Sequence, residues 1–399
     1  MYSIVVHNVM YHVGFLLMSP HCNMRFAYGI NTLLSFQAHS LFNSIAARKS
    51  TRAADKWKRK AFELQKLYWG DNSSVDYKTQ GTLTNHLKSE LEHIRDKYRV
   101  EIKQVDELVS QFDSNYIGSE QHKMLNNAME EISVACSEDM RDFAREVIGK
   151  SVSMLNQCPP CSFEAVAIGS IARGEATPYS DLEFLFLIED HTEQSVCFFE
   201  MLAMTSFFLI GNLGETMLSY MAIKELHGWF DDRGKNGFKI DGLADGAGNI
   251  PTGNSIPNKN HFIVTPQQLA ERYKATLDNP NPDEALRGDL TAMLAYTVSI
   301  YSHQNEENSL LHEFRNLISE FETNQEKKDI NIEMLKTDAN KFNFIPDANL
   351  CEKGFTADVK KEIYRFPSIM LLDICIASGW IGSSSWQSLG IIRTSSDLS

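Results

Sequence analysis

This chain has no excess of positive charge. Its 38 Lys and Arg stand against 52 Asp and Glu, a formal charge of −14 over 399 residues. A broad footprint for nucleic acid needs the opposite balance. The basic–aromatic interleaving of a single-strand binder is missing too. A local basic pocket for a nucleotide is still compatible with these totals. Cysteine is sparse: seven residues, an odd number, scattered over the whole length. That suits a reducing compartment rather than a disulfide framework. The close pair is Cys158-Pro-Pro-Cys161, and no second pair supplies the two further ligands of a structural zinc site. It reads as a linker carrying two thiols. Near the N-terminus, "SIVVHNVMYHVGFLLM" (3–18) is apolar but short for a bilayer, and it contains His7, Asn8 and His12. No basic n-region precedes it, so it makes a poor signal peptide. The expectation is a cytoplasmic protein without a membrane partner. No internal repeat is visible.

What is present is an ordinary globular composition, 43% hydrophobic and 23% charged. The length allows two or three domains. Residues 83–112 place Leu83, Leu87, Leu91, Ile94, Tyr98, Ile102, Val105, Leu108 and Phe112 on one stripe at spacings of three and four, the period of an α-helix. Residues 124–155 repeat the habit. After Pro159-Pro160 the pattern shortens. Segments 163–168, 182–188 and 237–241 read as strands, and "SVCFFEMLAMTSFFLI" (195–210) as a buried helix packed on them. A Gly/Asn/Pro-rich loop covers 242–258. Helices are expected again at 266–277, 284–303, 308–322 and 359–378, with a frayed polar tail after Gly382.

The informative stretch is "AIGSIARGEATPYSDLEFLFLIED" (167–190). Side chains on a strand alternate faces, so Asp181 and Glu183 point one way while Leu182 and Phe184 point into a core. Two adjacent carboxylates repel, and burying them unpaired is costly. A divalent cation removes that cost, and Mg²⁺ shares its shell with phosphate and water. Upstream, Gly169-Ser170 follows a strand. A glycine there lets the backbone approach a ligand, and the start of a helix offers N–H groups to phosphate. Ser180 and Tyr179 read as turn and packing residues. Arg173 has two readings, a phosphate contact or an ion pair with Glu175 or Asp181.

These residues resemble the polymerase-β-type nucleotidyltransferase superfamily. Its pattern is Gly-Ser, about a dozen residues, then acidic-x-acidic on a strand. The fuller run, with Arg173-Gly174-Glu175 and Pro178-Tyr179-Ser180-Asp181, is similar to the nucleotidyltransferase domain of the protein-PII uridylyltransferases. The resemblance implies a third carboxylate on a later strand, which "NGFKIDG" supplies at Asp241. It also implies a helical Asp-x-Lys, matched by "DVKKEIYRF", so that Lys360, Lys361 and Arg365 are candidate triphosphate contacts beside Gly169, Ser170 and Arg173. Glu183 stands where Asp is commoner, and the stretch that follows Asp241, "GLADGAGNIPTGN", carries no arginine where the relatives have one. None of the twelve histidines precedes an aspartate, so the His-Asp hydrolase of bifunctional relatives is not expected.

The fold class expected is α+β: a small mixed-sheet nucleotidyltransferase domain (158–260) between helical regions at 53–157 and 261–382. An N-terminal segment (1–52) and a polar tail (383–399) complete the chain. The resemblance implies transfer of a nucleoside monophosphate from an NTP, UTP-like by analogy, to an acceptor hydroxyl on a protein. Asp181, Glu183 and Asp241 would hold two Mg²⁺ ions, or Mn²⁺ in their place. The alternative is a nucleotide-binding scaffold of the same fold that lacks turnover.

Overall fold

A computed structural model of the chain describes residues 51–69, 75–112, 119–214, 262–278, 296–302, 309–322, 371, 374–375 and 384–394. Among the described residues three helices come first: α1 (Thr51–Trp69), α2 (Tyr77–Val109) and α3 (Glu120–Leu155). Each long helix begins where a side chain can take an otherwise unpaired amide. Asp76 Oδ1 accepts from Thr79 N at 2.7 Å, and Ser119 accepts from His122 N. α3 stops at Asn156, which adopts the left-handed conformation (φ 49°) that ends many helices.

Strands β1 (Phe163–Ala167), β2 (Phe184–Ile188), β3 (Ile263–Val264) and β4 (Val298–Ser302) form one mixed sheet in the order β3-β2-β1-β4. β1 runs antiparallel to both its neighbours, and β2 parallel to β3. The five-residue helix α4 (Gly169–Arg173) leaves β1, and α5 (Glu193–Asn212) follows β2. Beyond β3 lie α6 (Pro266–Asp278), α7 (Leu310–Glu322) and α8 (Ser385–Thr394). The described residues are thus mixed α and β, with a small sheet among many helices.

β1 and β2 are near-continuous apolar runs because both faces of the sheet are covered. On one face Phe163, Ala165, Ala167, Phe184, Phe186 and Ile188 join a core with α1, α2, α3 and α5. Phe199 of α5 sits 5.0 Å from the Phe163 ring and 5.6 Å from Phe186. On the other face Val166, Ile168, Leu185, Leu187 and Val264 pack on α6 and α7. Glu164 also lies between β1 and α7, 1% exposed, and its Oε2 accepts from Leu311 N at 3.0 Å in the first turn of α7. A carboxylate at that end of a helix is stabilised by the helix dipole.

Four sequence expectations change. Residues 298–302 are strand rather than the end of a 284–303 helix, because β1 offers them an open edge and Val298 and Ile300 suit a pleated surface. The strand expected at 182–188 begins at Phe184, with Leu182 making an isolated bridge. The tail after Gly382 is not simply frayed, since residues 385–394 form α8. Ser384 Oγ caps it by accepting from Gln387 N at 3.1 Å. In the helical stripe of α2, Leu87, Leu91, Ile94, Tyr98 and Val105 are buried, but Leu108 is 51% exposed. The strand expected at 237–241 and most of the helix at 359–378 lie outside the described residues.

α5 is long and apolar enough to cross a membrane, but most of it is buried within this core. The packing of α3 makes a chemical prediction. Cys136 is buried, and that burial pushes its thiol up to about 12, whereas Cys158 is exposed. Iodoacetamide at pH 8 should label Cys158 within minutes and Cys136 only after unfolding, read by peptide mass spectrometry. Rapid labelling of Cys136 in the folded protein would contradict this placement of α3.

Candidate functional site

The site is built on the connection between the two central strands. β1 and β2 pair from Phe163 with Ile188 to Ala167 with Phe184. The ladder runs one step further, since Ile168 N–H donates to Glu183 O at 3.0 Å. Gly169 therefore comes to lie beside Glu183. Its φ is +69°, a conformation that glycine adopts without steric cost. A β-carbon built on Gly169 would overlap Glu183 Oε2 and stand 2.7 Å from its Cδ. Any side chain at this position would push the Glu183 carboxylate out of its place beside the turn.

Asp181 and Glu183 are both part-exposed, and Leu182 between them is fully buried. The alternation expected from the sequence thus holds here, although both acids precede the formal start of β2. The chain between α4 and Asp181 is a closed turn. Gly174 ends α4 in the left-handed region (φ 72°), and Glu175 N–H donates to Ser170 O at 2.9 Å. Thr177 N–H donates to Ser180 Oγ and Ser180 N–H to Thr177 O, both at 2.9 Å. Pro178 and Tyr179 occupy its tip.

Arg173 pairs with Glu175, Nε to Oε2 at 3.0 Å, and the two side chains are only 15% and 11% exposed. Of its two readings, the ion pair is the one formed in this conformation. Ser170 is part-exposed at the start of α4. Asp241, Lys360, Lys361 and Arg365 lie outside the described residues. Among the described residues no three His, Cys, Asp or Glu side chains gather as a metal-holding group. The oxygen donors of Asp181 and Glu183 are of the type a hard divalent cation takes, and two carboxylates alone would fill only part of its shell.

Several residues that hold this turn have no place in the sequence motif. Arg141 Nη1 of α3 donates to Ile171 O at 3.3 Å, and burial lowers its pKa from the usual arginine value. Ser137 Oγ accepts from Ala176 N at 3.0 Å. Trp386 Nε1 of α8 donates to Gly174 O at 3.0 Å. Arg95 and Arg99 of α2 reach Pro178 and Tyr179. One signal was available for Arg95: it falls four residues after Leu91 and beside Ile94, a basic residue set into an apolar stripe.

The chain matches no family model and no curated protein. The likeness to nucleotidyltransferases therefore rests on the residues themselves, chiefly 169–183.

Proposed function

We propose that this protein is a metal-dependent nucleotidyltransferase, with the small sheet as its nucleotidyltransferase fold. The observation that carries the reading is the meeting of Gly169 with the Glu183 carboxylate. A turn suited to phosphate and a pair of carboxylates suited to a cation occupy one end of one hairpin. Asp181 and Glu183 would hold Mg²⁺ or Mn²⁺ together with Asp241. Bound there, the metal would supply charge neutralisation for the triphosphate and activation of the acceptor hydroxyl. Gly169 and Ser170 present backbone and hydroxyl groups to the β- and γ-phosphates. Lys360, Lys361 and Arg365 are the proposed cationic partners of that triphosphate. The reaction joins the α-phosphorus to an acceptor oxygen, breaks its bond to the bridging oxygen, and releases pyrophosphate. The acceptor proton passes to a carboxylate, with Asp241 the proposed base, or to water. A protein hydroxyl is the proposed acceptor, UTP the first nucleotide to test, and the cytoplasm the proposed compartment.

Incubating the full chain with labelled UTP, ATP, CTP and GTP, each with Mg²⁺ or Mn²⁺, tests this reading. Label transferred to the protein or to a lysate partner, lost on chelation, supports it. Nucleotide binding with no transfer under any condition would replace it with the scaffold reading.

A further inference from the structure

The helices ahead of the sheet contribute no group to the proposed chemistry, yet one turn of α2 grips the loop that delivers the carboxylates. Arg95 is 8% exposed; its Nε donates to Pro178 O at 3.3 Å, and its guanidinium lies 4.8 Å from the centre of the Tyr179 ring. Four residues on, Arg99 Nη2 donates to Tyr179 Oη at 3.1 Å. Between them, Lys97 Nζ and Tyr98 Oη both reach Asp139 Oδ2 of α3, at 2.7 and 2.8 Å. Residues 95–99 are thus tied to α3 on one side and to the loop before Asp181 on the other.

A buried guanidinium is costly unless its N–H groups find partners, and an apolar side chain would fill the same space without that cost. The use of arginine here therefore calls for a positional explanation. The turn from Thr177 to Ser180 is closed by its own hydrogen bonds, so it moves as a unit. Displacing Tyr179 displaces Asp181 with it, while Leu182 stays anchored in the core. We infer that Arg95 is a positioning residue for Asp181, fixing through Pro178 and Tyr179 the direction in which that carboxylate is presented beside Glu183. The inference rests on the nucleotidyltransferase reading of those carboxylates. It gives the N-terminal helices a function beyond packing: the register of α2 on α3, pinned at Asp139, sets the geometry of the site.

The test compares full-length Arg95→Met, Arg95→Lys and Tyr179→Leu with the wild type. Tyr179 is 43% exposed, so its replacement does not threaten folding. Pyrophosphate release is followed against Mn²⁺ concentration, and amide hydrogen exchange is followed over 175–183 and 140–155. For Arg95→Met the Mn²⁺ concentration at half-maximal turnover should rise about tenfold, and kcat should fall roughly 10- to 100-fold, since a misplacement near 1 Å carries that scale of loss. Exchange over 175–183 should quicken while 140–155 keeps its protection. Tyr179→Leu should shift the same midpoint in the same direction. Arg95→Lys should lie between, because lysine keeps a cation over the ring but lacks the planar fork. Loss of folded molecules alone would lower the rate without moving the metal midpoint. An unchanged midpoint and unchanged 175–183 exchange in both Arg95→Met and Tyr179→Leu would overturn the inference. A wild type that turns over no nucleotide would instead overturn the reading of the site, and the exchange comparison would still decide whether Arg95 holds the turn.

Discussion

Asp181→Asn is expected to lower metal-dependent nucleotide turnover about 100-fold or more while leaving the melting temperature unchanged or slightly raised. The substitution preserves volume and removes one negative charge. At 100-fold the loss of transition-state stabilisation is about 2.7 kcal/mol, within the range a ligating carboxylate supplies. Folding moves the other way. Without metal, Asp181 and Glu183 repel across Leu182, and an amide relieves that repulsion. Nucleotide affinity should fall less than turnover, because the phosphate contacts proposed for Gly169 and Ser170 would remain. Steady-state turnover, nucleotide titration and a thermal melt on one preparation check all three. Full activity in Asp181→Asn would remove the carboxylate pair from the site.

Gly169→Ala is the second change with a large expected effect, and its two consequences are unequal. Holding alanine at φ +69° costs about 1–2 kcal/mol. The added methyl meets Glu183 Oε2, the far end of a flexible side chain, so the carboxylate can swing aside rather than the fold giving way. The melting temperature should therefore fall by a few degrees. Turnover should fall about as far as in Glu183→Gln, roughly 100-fold. The double variant Gly169→Ala/Glu183→Gln should then be scarcely slower than either single one, since both remove the same carboxylate from its place. Multiplicative losses would show that the glycine acts on the phosphate side alone.

Legibility followed the local physics. Thr265-Pro266-Gln267-Gln268 announces α6 in the sequence, and the structure closes it as a reciprocal cap. Gln268 N–H donates to Thr265 Oγ1 at 3.2 Å, and Thr265 N–H to Gln268 Oε1 at 3.1 Å. Leu87, Leu91, Ile94 and Tyr98 were legible because a helical stripe has one period and one buried face. β4 was not, since "TVSIYS" continues an apolar run that also suits a helix. Its strand state is decided by β1, far away in the chain. α8 is masked by composition: a serine-rich tail suggests fraying, whereas Ser384-Ser385-Trp386-Gln387 carries a capping signature. At the site, the Gly-Ser turn and the acid-x-acid pair were legible by type and spacing. The grip of Arg95 was not, since cross-element contacts leave no period.

The sheet order has a consequence for how the chain is born. The two strands that carry the motif are the central pair, and their outer neighbours are made late, β3 from Ile263 and β4 from Val298. During synthesis α1, α2 and α3 precede the β1–β2 hairpin and α5 follows it directly, so the helices that cover one of its faces are made early. The other face, with Val166, Ile168, Leu185 and Leu187, waits for α6 and α7. Until then no described element pairs the two strand edges or covers that face, which makes the hairpin a template for pairing with a neighbouring nascent chain. A polypeptide stopped before Phe262 would keep Gly169, Asp181 and Glu183 but lack β3, β4, α6 and α7, the described elements that flank the hairpin and cover this face.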